Sequence, residues 1–322
     1  MNKLLSKYFA LLILLIIGFS ALANDLTHKS IDSDRNQIPV QSTVNYPETF
    51  LWKIERKGIP TSYLLGTVHI GKEESQLPDR VIAILSQTNA LMTEVNILPD
   101  EYDSAMLLMS LFEPNKNTTL SAKLGKKNFS KLSNYIGNTT PPGLLEHYKP
   151  ASALRSILYS RPEGYSGLNG IDFLLTNEAI AVNKTRIFLE SIEESTNLIL
   201  SLPEEKVIPM IASMLDNQKE LQNQTAKTVD YYVKNQVNEL LNMYNDHKKI
   251  VSYFPKKDQL FWEKWIFDDL VIERNKKWLP ILKQQIDKES TLIAVGALHL
   301  FGEDGLINVL QKAGYVVTPV MP

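Results

Sequence analysis

Two short stretches restrict the fold of this chain more than anything else in it, and they are variants of one pattern. Tyr63-Leu64-Leu65 runs into Gly66-Thr67-Val68-His69, followed by Gly71, and Leu292-Ile293-Ala294-Val295 runs into Gly296-Ala297-Leu298-His299, followed by Gly302. Each is an apolar run of buried-strand length, then a glycine, then a histidine three residues later. Glycine just past a strand permits a sharp turn or a close backbone approach. The histidine is then offered from the loop at the strand's carboxyl end, where open α/β sheets bind ligands. One such pattern says little. Two in the same context point to a shared site.

Between them, other short runs repeat the theme. Phe50 to Glu55 alternates apolar and polar residues and meets a turn at Lys57-Gly58-Ile59-Pro60, which predicts a hairpin into the first Gly-x-x-His. After Pro78, Asp79 reads as the N-cap of a helix carrying Val81, Ile82, Ile84 and Leu85. Ala90 to Val95 is a further strand with Glu94 near its end, and Arg186 to Leu189 is another, ending in Glu190. The βαβ order implies parallel strands with right-handed crossovers. Residues 101–160 and 193–288 carry helical patterns, with Pro203 separating two helices. The last unit is a helix from Asp304 to Lys312, Gly314 at its C′ position, and a closing strand over Tyr315 to Pro319. The expected fold is α/β (α+β). It has a mixed, partly parallel central sheet flanked by helices, and large helical insertions between the two Gly-x-x-His halves.

Residues 1–23 carry export signals instead. Lys3 and Lys7 precede an apolar run from Ala10 to Phe19, and Ala21-Leu22-Ala23 fits a small-x-small cleavage site. The run is short for a membrane span. Residues 1–23 are read as a signal peptide, 24–47 as a polar, flexible leader and 48–322 as the working domain of an exported, periplasmic or secreted protein. No stable membrane span is expected after cleavage. Loss of Lys3 and Lys7 takes the formal charge from -2 to -4, which offers no basic surface for nucleic acid.

Four predicted strands thus end in His69, Glu94, Glu190 and His299. Two imidazoles with one or two carboxylates suit a divalent metal, able to activate water or polarise a carbonyl. The chain has no cysteine, so ligands are nitrogen and oxygen, leaving zinc, manganese, iron or cobalt. Other readings stand beside these. Glu94 and Glu190 also fit caps or salt-bridge partners, and Asp172, after a glycine-rich turn, fits the N-cap of its helix. Arg274 fits either a carboxylate partner on a solvated helix or a group holding a developing anion. Glu303-Asp304 fits a helix cap, and His28, His147 and His247 lack comparable context. No Gly-x-Ser-x-Gly elbow, P-loop or His-Glu-x-x-His is present.

Leu51-Trp52-Lys53-Ile54 followed by Tyr63 to Gly71 resembles the opening motif of the TraB/GumN family. Val295 to Leu306, with Gly314-Tyr315, resembles its closing motif. Thr93-Glu94, Gly170-Ile171-Asp172, Leu189-Glu190 and Glu273-Arg274-Asn275 fall between them in family order. The resemblance runs from Leu51 to Pro319. It implies similarity to the Tiki metalloproteases, whose paired motifs bind a divalent metal such as manganese or cobalt, and a looser relation to erythromycin-esterase-like and haem- or iron-handling proteins. By position it makes His69 and His299 metal ligands and Glu94 a ligand or general base, with Glu190, Arg274 and Asn275 in support. Leu298 departs from the pattern, since many relatives carry a small residue there. The function expected is that of a metal-dependent hydrolase, a peptidase acting on a peptide or protein. A non-catalytic protein sequestering a peptide signal, metal or haem is the alternative, as is an esterase.

Overall fold

The computed structural model describes residues 45–113, 118–136, 140–158 and 161–322. The expected signal peptide and most of the expected leader lie outside them. Among the described residues no helix is long and apolar enough to cross a membrane.

The sheet is built from β1 (Leu51–Glu55), β2 (Ser62–Thr67), β4 (Ala90–Thr93), β6 (Thr185–Phe188), β7 (Thr291–Gly296) and β8 (Val316–Pro319), in the order β6-β4-β7-β2-β1-β8. A two-stranded ribbon pairs β3 (Gly71–Lys72) with β5 (Tyr165–Ser166). The four strands β6, β4, β7 and β2 are parallel, while β1 runs antiparallel to both its neighbours, closing the hairpin and receiving the chain's last strand. The sheet is therefore mixed and partly parallel, as expected.

Alternation along the strands explains why the parallel part reads as continuous apolar runs. Leu64, Met92, Ile293 and Val295 face the core shared with the long helical insertion. Leu65, Leu91, Leu292 and Ala294 point the other way, against Val81, Ile84 and Leu85 of helix Asp79–Gln87 and Leu175 of helix Ile171–Ala181. Both faces are buried, so neither needs polar residues.

Two helix starts differ from expectation. Asp79 opens the first turn of its helix and Pro78 holds the N-cap position, with no side-chain cap bond. Asp79 instead lies where a carboxylate favours the helix dipole. The last helix begins at Leu306 with Gly305 at the N-cap, and neither Glu303 nor Asp304 caps it. The physical reason is that the Asp304 carbonyl accepts from Asn275 Nδ2 at 2.9 Å, which keeps residues 300–305 in a turn. The Pro203 break is observed, between helices Ile192–Leu200 and Glu204–Asp216.

One device was not foreseen. Between Gln259–Lys264 and Glu273–Lys288 the helix widens to π geometry over Trp265–Ile272, and the Glu273 N–H reaches back to the Asp268 carbonyl. Such wide turns recur at functional sites because they re-aim the residues that follow. Here those residues are Arg274 and Asn275.

Candidate functional site

The register of the parallel strands brings their carboxyl ends level. Thr67 pairs with Gly296, and Thr93 pairs with both Ala294 and Phe188. Hence His69, Glu94, Glu190 and His299, each one to three residues past a strand, emerge at one edge. Helix Glu273–Lys288 brings Arg274 and Asn275 to the same place. Six side chains far apart in sequence are thus assembled into one cluster.

In the first Gly-x-x-His loop the imidazole is held by a residue expected only to cap a helix. His69 Nδ1 lies 2.6 Å from Asp172 Oδ2, and Thr67 Oγ1 donates to Asp172 Oδ1 at 2.6 Å. Asp172 sits in the first turn of its helix, whose N-cap is Gly170. The Ile171 N–H donates to the Val68 carbonyl at 2.9 Å, and a Cβ on Gly170 would collide with the His69 backbone. Helix and loop therefore lock together through a position that only glycine fits. With Nδ1 donating to Asp172, Nε2 is turned inward, buried and without a hydrogen-bond partner. Burial alone would lower the pKa of His69, but Asp172, assisted by Glu94, outweighs it and leaves the pKa raised.

The second loop uses a neutral partner. His299 is fully buried, and its Nδ1 lies 2.7 Å from Asn275 Oδ1, an oxygen that can only accept, so Nδ1 carries the proton. Asn275 Nδ2 donates to the carbonyls of His299 and Asp304, which fixes the amide. His299 Nε2 accepts from Arg274 Nη1 at 3.2 Å, and the ring lies against Trp278 with centroids 4.5 Å apart. Burial, reinforced by Arg274 and His69 and opposed by Glu94, brings its pKa down to about 3, so the imidazole is neutral.

Arg274 is the hub. Its Nη2 donates to Glu94 Oε2 at 2.6 Å and to Glu190 Oε1 at 2.7 Å, and Nε donates to Glu190 Oε2 at 3.2 Å. The guanidinium carbon stands 4.4 Å from the Trp278 ring centroid, and Trp278 Nε1 donates to Glu190 Oε2. Burial would lower the pKa of Arg274, but the two glutamates raise it. Glu94 Oε1 accepts the Gly296 N–H at 2.6 Å and lies 3.9 Å from His299 Nε2. Burial would raise the pKa of Glu94; Arg274 and the two histidines overcome this and hold it at about 2. Two carboxylates, Glu94 and Glu190, hold one guanidinium, and a third, Asp172, stands behind His69, a local excess of carboxylate that favours a cation.

The residues fit a divalent metal in kind. Both imidazoles have Nδ1 engaged by a supporting side chain, as metal-ligating histidines do, and the buried, partnerless Nε2 of His69 lacks only an electrophile. The arrangement is less complete. No group of three or more His, Asp or Glu among the described residues is set to hold an ion. The reason is Arg274, which engages Glu94 Oε2 and His299 Nε2 together.

The other histidines lie elsewhere. His247 Nδ1 is 3.2 Å from Glu263 Oε1 and its ring stacks on Phe267, while the His147 carbonyl accepts the Glu113 N–H. His28 is outside the described residues. Sequence reasoning missed the roles of Asp172, Thr67 and Trp278. The signals for Asp172 were its position after Gly170 and the place of Gly170-Ile171-Asp172 in the family order, neither of which named its partner.

The model of the TraB/PrgY/gumN family matches residues 50–319, which contain every strand of the sheet and every side chain of the cluster. The chain belongs to the TraB/PrgY/gumN family. The chain is also similar to several curated proteins. The uncharacterized protein YbaP of Shigella flexneri is 24% identical over 254 residues, covering 78% of this chain and 88% of YbaP. A metalloprotease TIKI homolog of Amphimedon queenslandica is 25% identical, covering 84% of this chain and 61% of its own length. Metalloprotease TIKI1 of Xenopus tropicalis is 22% identical, covering 86% and 62%. This TraB/PrgY/gumN chain thus spans about three-fifths of those two metalloproteases. No solved structure gives a significant match.

Proposed function

We propose that this protein is an exported, metal-dependent hydrolase of peptide bonds, with its site at the carboxyl edge of the parallel strands. One observation carries the reading: two imidazoles on adjacent Gly-x-x-His loops each have Nδ1 fixed, by Asp172 and by Asn275, so that both Nε2 atoms face the same edge, that of His69 without a hydrogen-bond partner and that of His299 accepting from Arg274. The family's metalloprotease members support it.

His69, His299 and Glu94 would hold the ion. Bound there, a divalent metal supplies Lewis-acid polarisation of a carbonyl and activation of water. The rest falls to the chain. With its pKa held at about 2, Glu94 is fully ionised at neutral pH and far below the range of an efficient general base. It therefore serves as a ligand in this arrangement, and would become a base only if Arg274 withdrew. Arg274, braced by Glu190 and Trp278, holds negative charge as it develops on the attacked carbonyl. Asp172 fixes the rotation of His69 and holds the proton on its Nδ1.

The experiment is metal analysis of the purified protein with cleavage of a peptide library, using His69→Ala and His299→Ala as controls. Both variants should lose metal and turnover. Wild-type metal content and activity in both would sink the reading. The second reading is a binding protein that sequesters a peptide signal, metal or haem; the engagement of Glu94 and His299 by Arg274 favours its peptide form, since a peptide needs no ion there. Stoichiometry separates the two, because a binder saturates without forming product.

A further inference from the structure

Beside the cluster lies a cavity of about 150 Å³, and the two Gly-x-x-His loops form one of its walls through Thr67–Ile70 and Gly296–Leu298. The opposite walls come from the helical insertion, with Leu154, Met210, Met214, Leu240, Trp262 and Ile266 among the contacts. Among the described residues, no Asp, Glu, Lys or Arg lines it. The hydroxyls on its helix Gln218–Val233 side are already spent: Thr225 Oγ1 donates to the Leu221 carbonyl, and Thr228 Oγ1 pairs with Tyr244 Oη. A group entering the cavity meets mostly hydrocarbon, with His69, Gln224, Tyr135, Tyr253 and Trp262 among the further side chains that carry a polar atom.

We propose that this cavity is the specificity pocket of the site and seats one large uncharged side chain, aromatic or branched aliphatic, of a peptide residue next to the bond presented to His69 and His299. Volume selects the occupant. An apolar cavity of about 150 Å³ accepts a guest the size of benzene, which matches the side chain of one Phe or Leu. An acyl chain with twice benzene's carbons overfills it. Charge selects as well, since a Lys side chain would surrender its hydration with no carboxylate in the lining, and an Asp side chain would find no Lys or Arg there. Leu298, on the wall immediately before His299, sets the depth, and its bulk restricts the pocket to a single side chain.

This inference rests on the hydrolase reading only for the position of the bond, so binding and cleavage are measured separately. The probes are hexapeptides blocked at both ends, alike except at one central residue (Gly, Ala, Leu, Phe, Trp, Lys or Asp), and an N-lauroyl form of the Gly peptide. Binding to the full-length protein is measured by calorimetry, and cleavage by chromatography. Phe and Leu peptides should bind about 10- to 150-fold more tightly than the Gly peptide, the range for fully burying such a side chain. Thr225→Trp, from a half-buried position on the rim, should erase most of that preference while leaving the Gly peptide unchanged. Leu298→Ala should extend the preference to Trp. Preference in binding without cleavage leaves the pocket standing and removes the hydrolase reading. Equal binding of all peptides, a preference that neither variant alters, or tightest binding of the lauroyl peptide overturns the pocket.

Discussion

A Cβ on Gly66 would stand 2.9 Å from the Cα of Ala297. The glycine of the first Gly-x-x-His loop is therefore the surface on which the second loop rests. It is not merely a flexible turn residue. Gly66→Ala should push the two loops apart, because the atom it meets is backbone and cannot rotate away. Overpacking of this kind costs about 1–3 kcal/mol. We expect a lower urea midpoint and weaker metal binding, with far-UV circular dichroism unchanged. An unchanged midpoint and affinity would mean that the loops yield without cost.

Arg274 holds two buried carboxylates, and removing one partner of a buried ion cluster leaves charge uncompensated. Arg274→Met should destabilise the chain by about 3–5 kcal/mol. Arg274→Lys should recover little of this, since a point charge cannot reproduce donation to Glu94 and Glu190 from one planar fork. Adding Glu190→Gln to Arg274→Met should restore part of the loss by removing one orphaned charge. Urea unfolding of the three variants tests the order. Arg274→Lys at wild-type stability would refute the hub role.

The reach of that hub marks what could and could not be read from the sequence. Strands β2, β4 and β7 were legible because burial on both faces leaves unbroken apolar runs, and the glycines expected just past β2 and β7 punctuate them, although Gly66 and Gly296 prove to be the last but one and the last residue of those strands. Their common edge followed from the parallel order alone. The partners of Arg274 did not, since Glu190 and Glu94 lie 84 and 180 residues away and no periodicity encodes such a pairing. Asp172 was hidden differently. An acidic residue in a first helical turn always has the helix dipole as a sufficient explanation, so its second task, holding His69, has no separate signature. The π turn over Trp265–Ile272 likewise keeps an ordinary helical composition. It changes where Arg274 points without changing how the segment reads.

Acid should weaken the cluster through Glu94. Its carboxyl titrates at about 2 in the folded chain against an ordinary value of 4.5, so the folded state binds its proton less readily than the unfolded chain does. The stabilisation is fully present above pH 4.5 and is lost as the pH falls through about 2. Glu94→Gln removes it at every pH. The stability gap between wild type and Glu94→Gln should be on the order of a few kcal/mol at pH 6 and should close progressively between pH 4.5 and 2. Urea titrations at several pH values measure this gap. A gap that stays constant over that window would show that Glu94 contributes through packing alone.

Asp172 offers the sharpest separation of a supporting residue from a ligand. It raises the pKa of His69 against the effect of burial, so Asp172→Asn should lower it, which a histidine-selective NMR titration reads directly. The sign for stability follows. A histidine whose pKa is raised on folding stabilises the chain fully below its ordinary 6.5 and loses that contribution as the pH rises through the raised value. The variant should therefore be less stable than wild type at pH 5.5, and the difference should shrink in alkaline solution. Metal binding should weaken as well. Replacing the group that orients a ligating imidazole costs about 10- to 100-fold in affinity, whereas His69→Ala should abolish the site. Manganese, cobalt and zinc should each raise the unfolding temperature of wild type in a concentration-dependent way that a chelator reverses. For Asp172→Asn the same rise should require that much more metal. If Asp172→Asn titrates metal like wild type while the His69 pKa falls, then Asp172 governs the proton at His69 and has no part in holding a metal there.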